Sequence, residues 1–126
     1  MTTPGRRAWW VVWAWVVAQL VVTSVPGSAV PVDVGHPFDW VVHAGIYGML
    51  GVLVARAARL ASWPAGRLAW MGAAIAAAAA LDEVHQLFIP GRDGSPADWA
   101  FDTLGVVAGL LLGSWLMGSK VARWLR

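Results

Sequence analysis

The sequence has no cysteine and few charged residues. Asp, Glu, Lys and Arg together make up 13% of the 126 residues, whereas a soluble domain carries roughly 25%. The absence of cysteine excludes a disulfide scaffold, a thiol nucleophile, a cysteine-ligated zinc site and an iron–sulfur cluster. Hydrophobic residues account for 59%, and ten residues are tryptophan. Such a chain has too little polar surface for a water-soluble domain, and we predict a membrane protein.

Four apolar stretches are close to the length that a membrane-spanning helix needs. The hydrocarbon core of a bilayer is about 30 Å thick, which corresponds to about 20 mostly apolar helical residues. The stretches run over residues 8–25, 39–55, 68–89 and 96–118. Proline and glycine follow the first and the third, and arginines follow the second. The sequence therefore predicts an all-α fold, a four-helix transmembrane bundle formed by a single domain over residues 1–126.

The basic residues indicate how this bundle lies in the membrane. Lysine and arginine near the ends of membrane spans favour the cytoplasm. Eight of the nine basic residues fall on one side of the four predicted spans, namely Arg6, Arg7, Arg56, Arg59, Arg67, Lys120, Arg123 and Arg126. All seven carboxylates fall on the outer half. We therefore predict an N-in/C-in topology.

A cleaved signal peptide is an alternative for the first apolar stretch. Two arginines precede an apolar core that is followed by the small residues Gly27, Ser28 and Ala29. The apolar stretch is longer than a usual signal core, which favours a retained helix. Cleavage would leave the other three spans in the same orientation.

The third stretch ends in a group of polar side chains. Ionisable groups inside a bilayer cost about 2.5–3.5 kcal/mol each, so they need a structural or functional reason. Asp82, His85 and Gln86 share one helix face, whereas Glu83 points about 100° away. Counted back from Pro90, Asp82 lies about 12 Å below the outer end of the helix. The two adjacent carboxylates should therefore have different partners.

The second and fourth stretches each carry a polar stripe. Asp39, His43 and Tyr47 follow one another at intervals of four residues, which places them on one helix face. Asp98 and Asp102 share a face about 80° wide with three glycines spaced four residues apart. Small residues at this spacing let another helix approach closely. We therefore expect both aspartates to face the interior of the bundle.

A short turn rich in proline and glycine connects the third and fourth stretches. It should make these two helices antiparallel neighbours. Arg92 in this turn is the one cation on the outer side, and it could pair with a carboxylate or hold an anionic ligand.

Structural explanations stay open for part of this polar set. Asp98 follows Ser95 in a helix-capping pattern, and Asp39 could likewise be the opening acid of its helix. His43 and Tyr47 could be buried hydrogen-bonding groups. For the deeper carboxylates, Asp82, Glu83 and Asp102, a functional site is favoured over a network that only fixes helix register.

The segment DEVHQLFIPGRDGSPADWAFDTLGVVAG resembles the signature of the VanZ-like family of small bacterial membrane proteins. The matching positions are Asp82, Glu83, Gln86, Pro90, Arg92, Asp98, Gly105 and Gly109. On the second helix, Asp39, His43 and Tyr47 resemble the family's pattern of an acid, a histidine and an aromatic residue. Trp40 stands where a lysine is usual, and Asp102 stands where an asparagine is usual.

This resemblance implies a multi-pass protein of the bacterial cytoplasmic membrane. The founding type is associated with resistance to the glycopeptide antibiotic teicoplanin. We expect an outward-facing site that acts on a lipid-linked wall precursor or a glycolipopeptide. The alternative is a non-catalytic binding, transport or accessory protein whose carboxylates gate ligand access or only fix helix packing. The sequence alone does not decide whether the protein is an enzyme.

Each polar residue has an expected role at such a site. Asp82 or Glu83 would act as acid or base, and His85, Asp98 and Asp102 would orient the reacting groups. Binding of the ligand is expected at Gln86, Arg92, Asp39, His43 and Tyr47. No cofactor is predicted: Asp82, Glu83 and His85 lack the His-Glu-x-x-His spacing, and a divalent ion is kept only as an alternative. Nucleic acid is not expected as a partner, because the topology already explains the dispersed basic residues.

Overall fold

The computed structural model describes residues 3–29 and 37–118. Four α-helices account for most of them: α1 over Thr3–Thr23, α2 over Phe38–Leu60, α3 over Ala65–Gln86 and α4 over Pro96–Gly118. A single 3₁₀ turn at Gly27–Ala29 follows α1, and the described ranges contain no strand. The predicted all-α fold with four helices is confirmed.

The C-terminal ends of α2 and α3 differ from the predicted ones. α2 continues past Arg56 to Leu60, since arginine side chains can reach the interface and favour a helix C-terminus. α3 ends at Gln86, and the next three amide groups bond to carbonyls three residues back. This tight turn leads into Pro90. Asp82 is therefore about 6 Å from the end of the regular helix, closer than the 12 Å expected from the sequence.

The helices pack in the order α1, α2, α4 and α3. The contact between α2 and α4 is the most extensive, while α1 packs on the other side of α2 and α3 packs on α4. The predicted neighbourhood of α3 and α4 is confirmed. α1 and α2 share an apolar core that is formed by Ala8, Val12, Leu50, Val54 and Ala57. This core lies away from the polar residues, which occupy the opposite ends of the helices.

Glycines allow α2 and α4 to touch through their backbones. A Cβ atom on Gly105 would overlap the carbonyl oxygen of Ala44, and one on Gly109 would overlap that of Gly48. The predicted close approach of the glycine face of α4 is therefore present, and its partner is α2. The same face carries Asp98 and Asp102, both of which are buried.

Apolar side chains cover much of the outer surface of the bundle. Large exposed residues on all four helices include Trp10, Val41, Leu81 and Leu111. Such a surface is typical of a protein whose solvent is lipid. Among the described helices, α2 and α4 are long and apolar enough to cross a membrane. α1 carries two arginines near its start and is rich in tryptophan, while the apolar part of α3 is mainly alanine.

Some of the residues that support the topology prediction lie outside the described ranges. They are Asp33 in the first outer loop, and Lys120, Arg123 and Arg126 after α4. The N-in/C-in orientation therefore stays a prediction from the sequence.

Candidate functional site

Five ionisable side chains from three helices meet near the ends of α2, α3 and α4. We call them the acid–histidine cluster: Asp39 and His43 from α2, Glu83 from α3, and Asp98 and Asp102 from α4. Asp102 is 0% exposed, Asp98 5% and Glu83 6%. The sequence predicted an interior position for Asp98 and Asp102, and the structure brings Asp39, His43 and Glu83 within reach of them.

His43 lies at the centre of the cluster. Its Nδ1 is 2.9 Å from Oδ1 of Asp102 and 3.9 Å from Oε1 of Glu83. Its Nε2 is 3.8 Å from Oδ1 of Asp39. The close approach of α2 and α4 at Gly105 is one residue along α2 from His43 and less than one turn along α4 from Asp102. The glycine contact therefore positions the hydrogen bond between these two helices.

Glu83 is held by the turn that connects α3 and α4. The backbone N–H of Ser95 donates to Oε2 of Glu83 at 2.8 Å. On its own helix, Gln86 Nε2 donates to Oε1 of Glu83 at 3.4 Å. One oxygen of this carboxylate is thus fixed by the backbone, and the other faces His43. The chain passes close over α3 at Gly94, where a Cβ atom would overlap the carbonyl oxygen of Glu83.

Ser95 caps α4 and leaves Asp98 free for the cluster. The Ser95 hydroxyl oxygen accepts hydrogen bonds from the amides of Ala97 at 3.1 Å and Asp98 at 3.2 Å. In a capping box, the acid at Asp98 would accept the Ser95 N–H, but that group donates to Glu83 instead. Oδ1 of Asp98 is buried and has no hydrogen-bond partner, and the same is true of Oδ2 of Asp102.

Asp82 faces a different set of partners. Its Oδ1 accepts a hydrogen bond from the Thr23 hydroxyl of α1 at 3.1 Å and lies 3.7 Å from His85 Nδ1. Tyr47, one turn further along α2 than His43, is partly buried and packs against the apolar core. The expectation that Asp82 and Glu83 have different partners is confirmed. His85 is 44% exposed at its side chain and lies outside the acid–histidine cluster.

Arg92 binds the end of α1. Its Nε donates to the carbonyl oxygen of Val25 at 3.0 Å, and its Nη2 donates to that of Val22 at 2.8 Å. Over residues 3–29 and 37–118, Arg92 forms no ion pair with a carboxylate. In the described residues the guanidinium therefore does not pair with a carboxylate, as the sequence had suggested, but satisfies carbonyl groups that a helix end leaves open.

Trp40 takes part in an aromatic contact beside the cluster. Its ring stacks on that of Phe101 with centroids 5.0 Å apart and planes 8° from parallel. Trp40 stands next to Asp39, and Phe101 stands next to Asp102. The position where the VanZ-like pattern has a lysine is thus part of an apolar α2–α4 contact.

Several contributing residues gave no signal in the sequence. Val22 and Thr23 belong to the apolar helix α1 and Val25 follows it, and they reach the site region only through contacts with distant segments. Ser95 was visible as a cap, but the bond from its amide to Glu83 joins groups 12 residues apart across a turn. Of the residues expected at the site, the cluster unites Asp39, His43, Glu83, Asp98 and Asp102. Gln86 adjoins it through the hydrogen bond to Glu83, while Asp82 and Tyr47 are close to cluster residues along their own helices.

The family model described as VanZ/LLP1 matches this chain over residues 7–117. No curated protein and no solved structure was found to match it. The match includes most or all of each of the four helices and every residue of the acid–histidine cluster. This match agrees with the sequence signature on α3 and α4. The chain belongs to the VanZ/LLP1 family.

Proposed function

We propose that the protein acts in the bacterial cell envelope on the polar part of an amphipathic molecule, with Glu83 as its acid or base. The molecule would be a lipid-linked wall precursor or a glycolipopeptide in the outer leaflet of the cytoplasmic membrane. The observation that carries the proposal is the setting of the Glu83 carboxylate. It is buried, fixed at one oxygen by the Ser95 amide, and turned at the other oxygen towards the pair of His43 and Asp102.

The place of the cluster suits an amphipathic ligand. The cluster lies near helix ends, whereas the outer surface of the bundle is apolar. A lipid-linked molecule keeps its chain in the hydrocarbon layer and its polar part at the interface, so both parts would find a matching surface. The predicted topology puts this end of the bundle outside the cytoplasm. The link between VanZ-like proteins and teicoplanin resistance fits a protein that acts on such a molecule.

The chemistry follows from the positions of three side chains. Oε1 of Glu83 would accept a proton from a hydroxyl group or a water molecule as its oxygen forms a bond to the polar part of the ligand, and would give this proton to the group that leaves. The hydrogen bond to Asp102 fixes the ring of His43, so the imidazole presents a constant face to the reacting group. Gln86 and the Ser95 amide keep the Glu83 carboxylate in one orientation.

A substitution at Glu83 tests this proposal. The full chain is purified in native lipid particles, co-purifying amphiphiles are identified by mass spectrometry, and turnover of a lipid-linked wall precursor is measured. Glu83→Gln keeps the shape of the side chain and an acceptor for Ser95, so it should still bind the molecule. Its turnover should fall by about 100-fold or more, because the amide cannot accept the proton.

The matched control is Asp93→Asn, which makes the same acid-to-amide change at an exposed carboxylate of the α3–α4 turn, outside the cluster. We expect unchanged binding and turnover in this variant. Equal turnover by the Glu83→Gln variant and the unmodified protein would show that Glu83 is not the acid or base of the reaction. Binding without any turnover by the unmodified protein would leave a non-catalytic binding protein, and failure to bind any such amphiphile would contradict the proposal as a whole.

A further inference from the structure

We propose that Asp39, His43 and Asp98 form a site for one divalent transition-metal ion, with Asp102 as the residue that orients His43. One ligand atom from each of the three side chains lies within 4.8 Å of the other two. Metal–ligand distances of about 2.0–2.2 Å separate neighbouring ligand atoms by about 3.4 Å in a tetrahedral site. The ligand atoms would therefore have to approach one another by little more than about 1 Å.

His43 is oriented as a metal ligand usually is. Histidine ligands commonly donate the N–H of one ring nitrogen to a carboxylate, which leaves the lone pair of the other nitrogen for the metal. Here Nδ1 lies 2.9 Å from Asp102 and Nε2 faces Asp39. His43, Glu83 and Asp102 form a second group whose ligand atoms also lie within 4.8 Å of one another. An ion in that group would compete with the bond between His43 and Asp102, so the Asp39 side is favoured.

The buried carboxylate of Asp98 supports a metal site independently of the distances between the ligand atoms. The side chain is 5% exposed, its Oδ1 has no hydrogen-bond partner, and one of its carboxylate oxygens points towards Asp39 and His43. Capping of α4 does not explain its position, because Ser95 caps the helix and the Ser95 amide donates to Glu83. A buried oxygen without a donor is costly, and a cation would satisfy it.

The charge of the cluster also favours a cation. Four carboxylates surround a single imidazole, and buried carboxylates need a compensating positive charge. In the part of the chain that the structure describes, no lysine or arginine forms an ion pair with any of them. A divalent ion beside Asp39 and Asp98 would supply this charge.

The donor set indicates the kind of ion. Mg²⁺ and Ca²⁺ prefer oxygen ligands only, whereas one imidazole nitrogen with carboxylates suits Zn²⁺ or Mn²⁺. The Asp39 side chain is 36% exposed, so an ion can enter from the helix ends. Three protein ligands leave at least one coordination position for water or an oxygen atom of a bound molecule.

The inference extends the proposed function, because the same cluster is involved, but metal binding can be tested without any lipid. The full chain is purified in detergent, stripped with a chelator, and titrated with Zn²⁺ alone against a chromophoric chelator. We expect one ion per chain. Asp98→Asn should weaken binding by at least about 100-fold, and Asp102→Asn, which affects only the orientation of His43, by about 10-fold to 100-fold.

Asp82→Asn is the matched control, because Asp82 is also buried but is paired with Thr23 and His85 outside the proposed site. Its Zn²⁺ affinity should stay unchanged. An unmodified chain that binds no Zn²⁺, or an equal loss in Asp82→Asn and Asp98→Asn, would overturn the inference.

A spectroscopic measurement on Mn²⁺-loaded protein covers the case in which Asp98→Asn does not fold. Electron spin echo modulation should reveal a directly bound imidazole nitrogen in the unmodified chain. The signal should persist in His85→Gln and in His36→Gln, which change the other two histidines. Absence of imidazole modulation in the unmodified chain, or its loss in either histidine variant, would overturn the inference.

Discussion

Glu83 accepts a hydrogen bond that the sequence pattern of α4 would assign to Asp98. Ser95 and Asp98 have the spacing of a capping box, in which the acid binds the backbone N–H of the serine. The turn brings Glu83 to that N–H instead, at 2.8 Å. One exchange of partners thus fixes Glu83 and frees the carboxylate of Asp98. The effect depends on Glu83, which is 12 residues away from Ser95, so no local pattern predicts it.

The bond between Glu83 and Ser95 gives a prediction for stability. Glu83→Ala leaves the partly buried Ser95 N–H without its acceptor, and the free energy of unfolding should fall by about 1–3 kcal/mol. Glu83→Gln keeps a carbonyl acceptor and should lose less. Unfolding of the purified protein in mixed detergent micelles, followed by tryptophan fluorescence, measures both values.

Asp93→Ala is the control for this comparison, because Asp93 is an exposed acid of the same turn. Exposed substitutions of this kind usually change stability by less than about 0.5 kcal/mol. Equal losses in Glu83→Ala and Asp93→Ala would show that the bond to Ser95 contributes nothing to the fold.

The sequence predicted the faces of the site residues, but it did not predict their pairs. Spacing along each helix placed Asp39 with His43 and Asp98 with Asp102, because a helix has a fixed rotation per residue. Whether His43 meets Asp102 or Asp82 depends on how far one helix slides and rotates against another. That is decided by packing between distant segments. The same reason explains Arg92, whose carbonyl partners lie 67 and 70 residues away.

The contact between α2 and α4 is the element on which the geometry of the site depends. The two backbones meet where Gly109 faces Gly48 and Gly105 faces Ala44. The glycine spacing of α4 predicted a close partner, but it did not indicate which helix this would be. The ends of α3 were less predictable, since the apolar run continues through Leu87 to Ile89 while the backbone already forms a tighter turn.

Gly109→Ala tests this contact at the level of the helix pair. The added Cβ atom would overlap the carbonyl oxygen of Gly48, so the two helices must move apart. Overpacking of this kind costs about 1–3 kcal/mol, because rigid backbone rather than a flexible side chain has to shift. We expect a lower thermal midpoint in detergent, and lower Zn²⁺ affinity, since the separation moves His43 away from Asp98.

Gly45→Ala is the matched control on α2. A Cβ atom at Gly45 meets nothing within 4 Å, and alanine favours a helix by about 0.5–1 kcal/mol over glycine. This variant should be as stable as the unmodified protein or slightly more so. A Gly109→Ala protein that matches Gly45→Ala in stability would contradict the close helix contact.

The whole molecule has two different ends. The acid–histidine cluster and the turn with Arg92 lie at one end, and the amide of Gly27 donates to the carbonyl oxygen of Pro90 at 2.9 Å, which places the end of α1 there as well. Ser62, which joins α2 to α3, lies at the opposite end. The arginines of α1, α2 and α3 gather near that second end. Positive charges near the ends of membrane spans favour the cytoplasm, so the cluster should open outwards.

Labelling of single cysteines tests this orientation, since the natural chain contains none. Ser28 and Ser62 are both exposed, and each can be replaced by cysteine with little change in side-chain size. In intact cells, a membrane-impermeant maleimide should label Ser28→Cys, whereas Ser62→Cys should react only after the membrane is opened. Reaction of Ser62→Cys from outside would show that the protein has the opposite orientation, with the cluster at the cytoplasmic face. A ligand in the outer leaflet would then be excluded, although the proposed metal site, which depends only on the cluster itself, would not be affected.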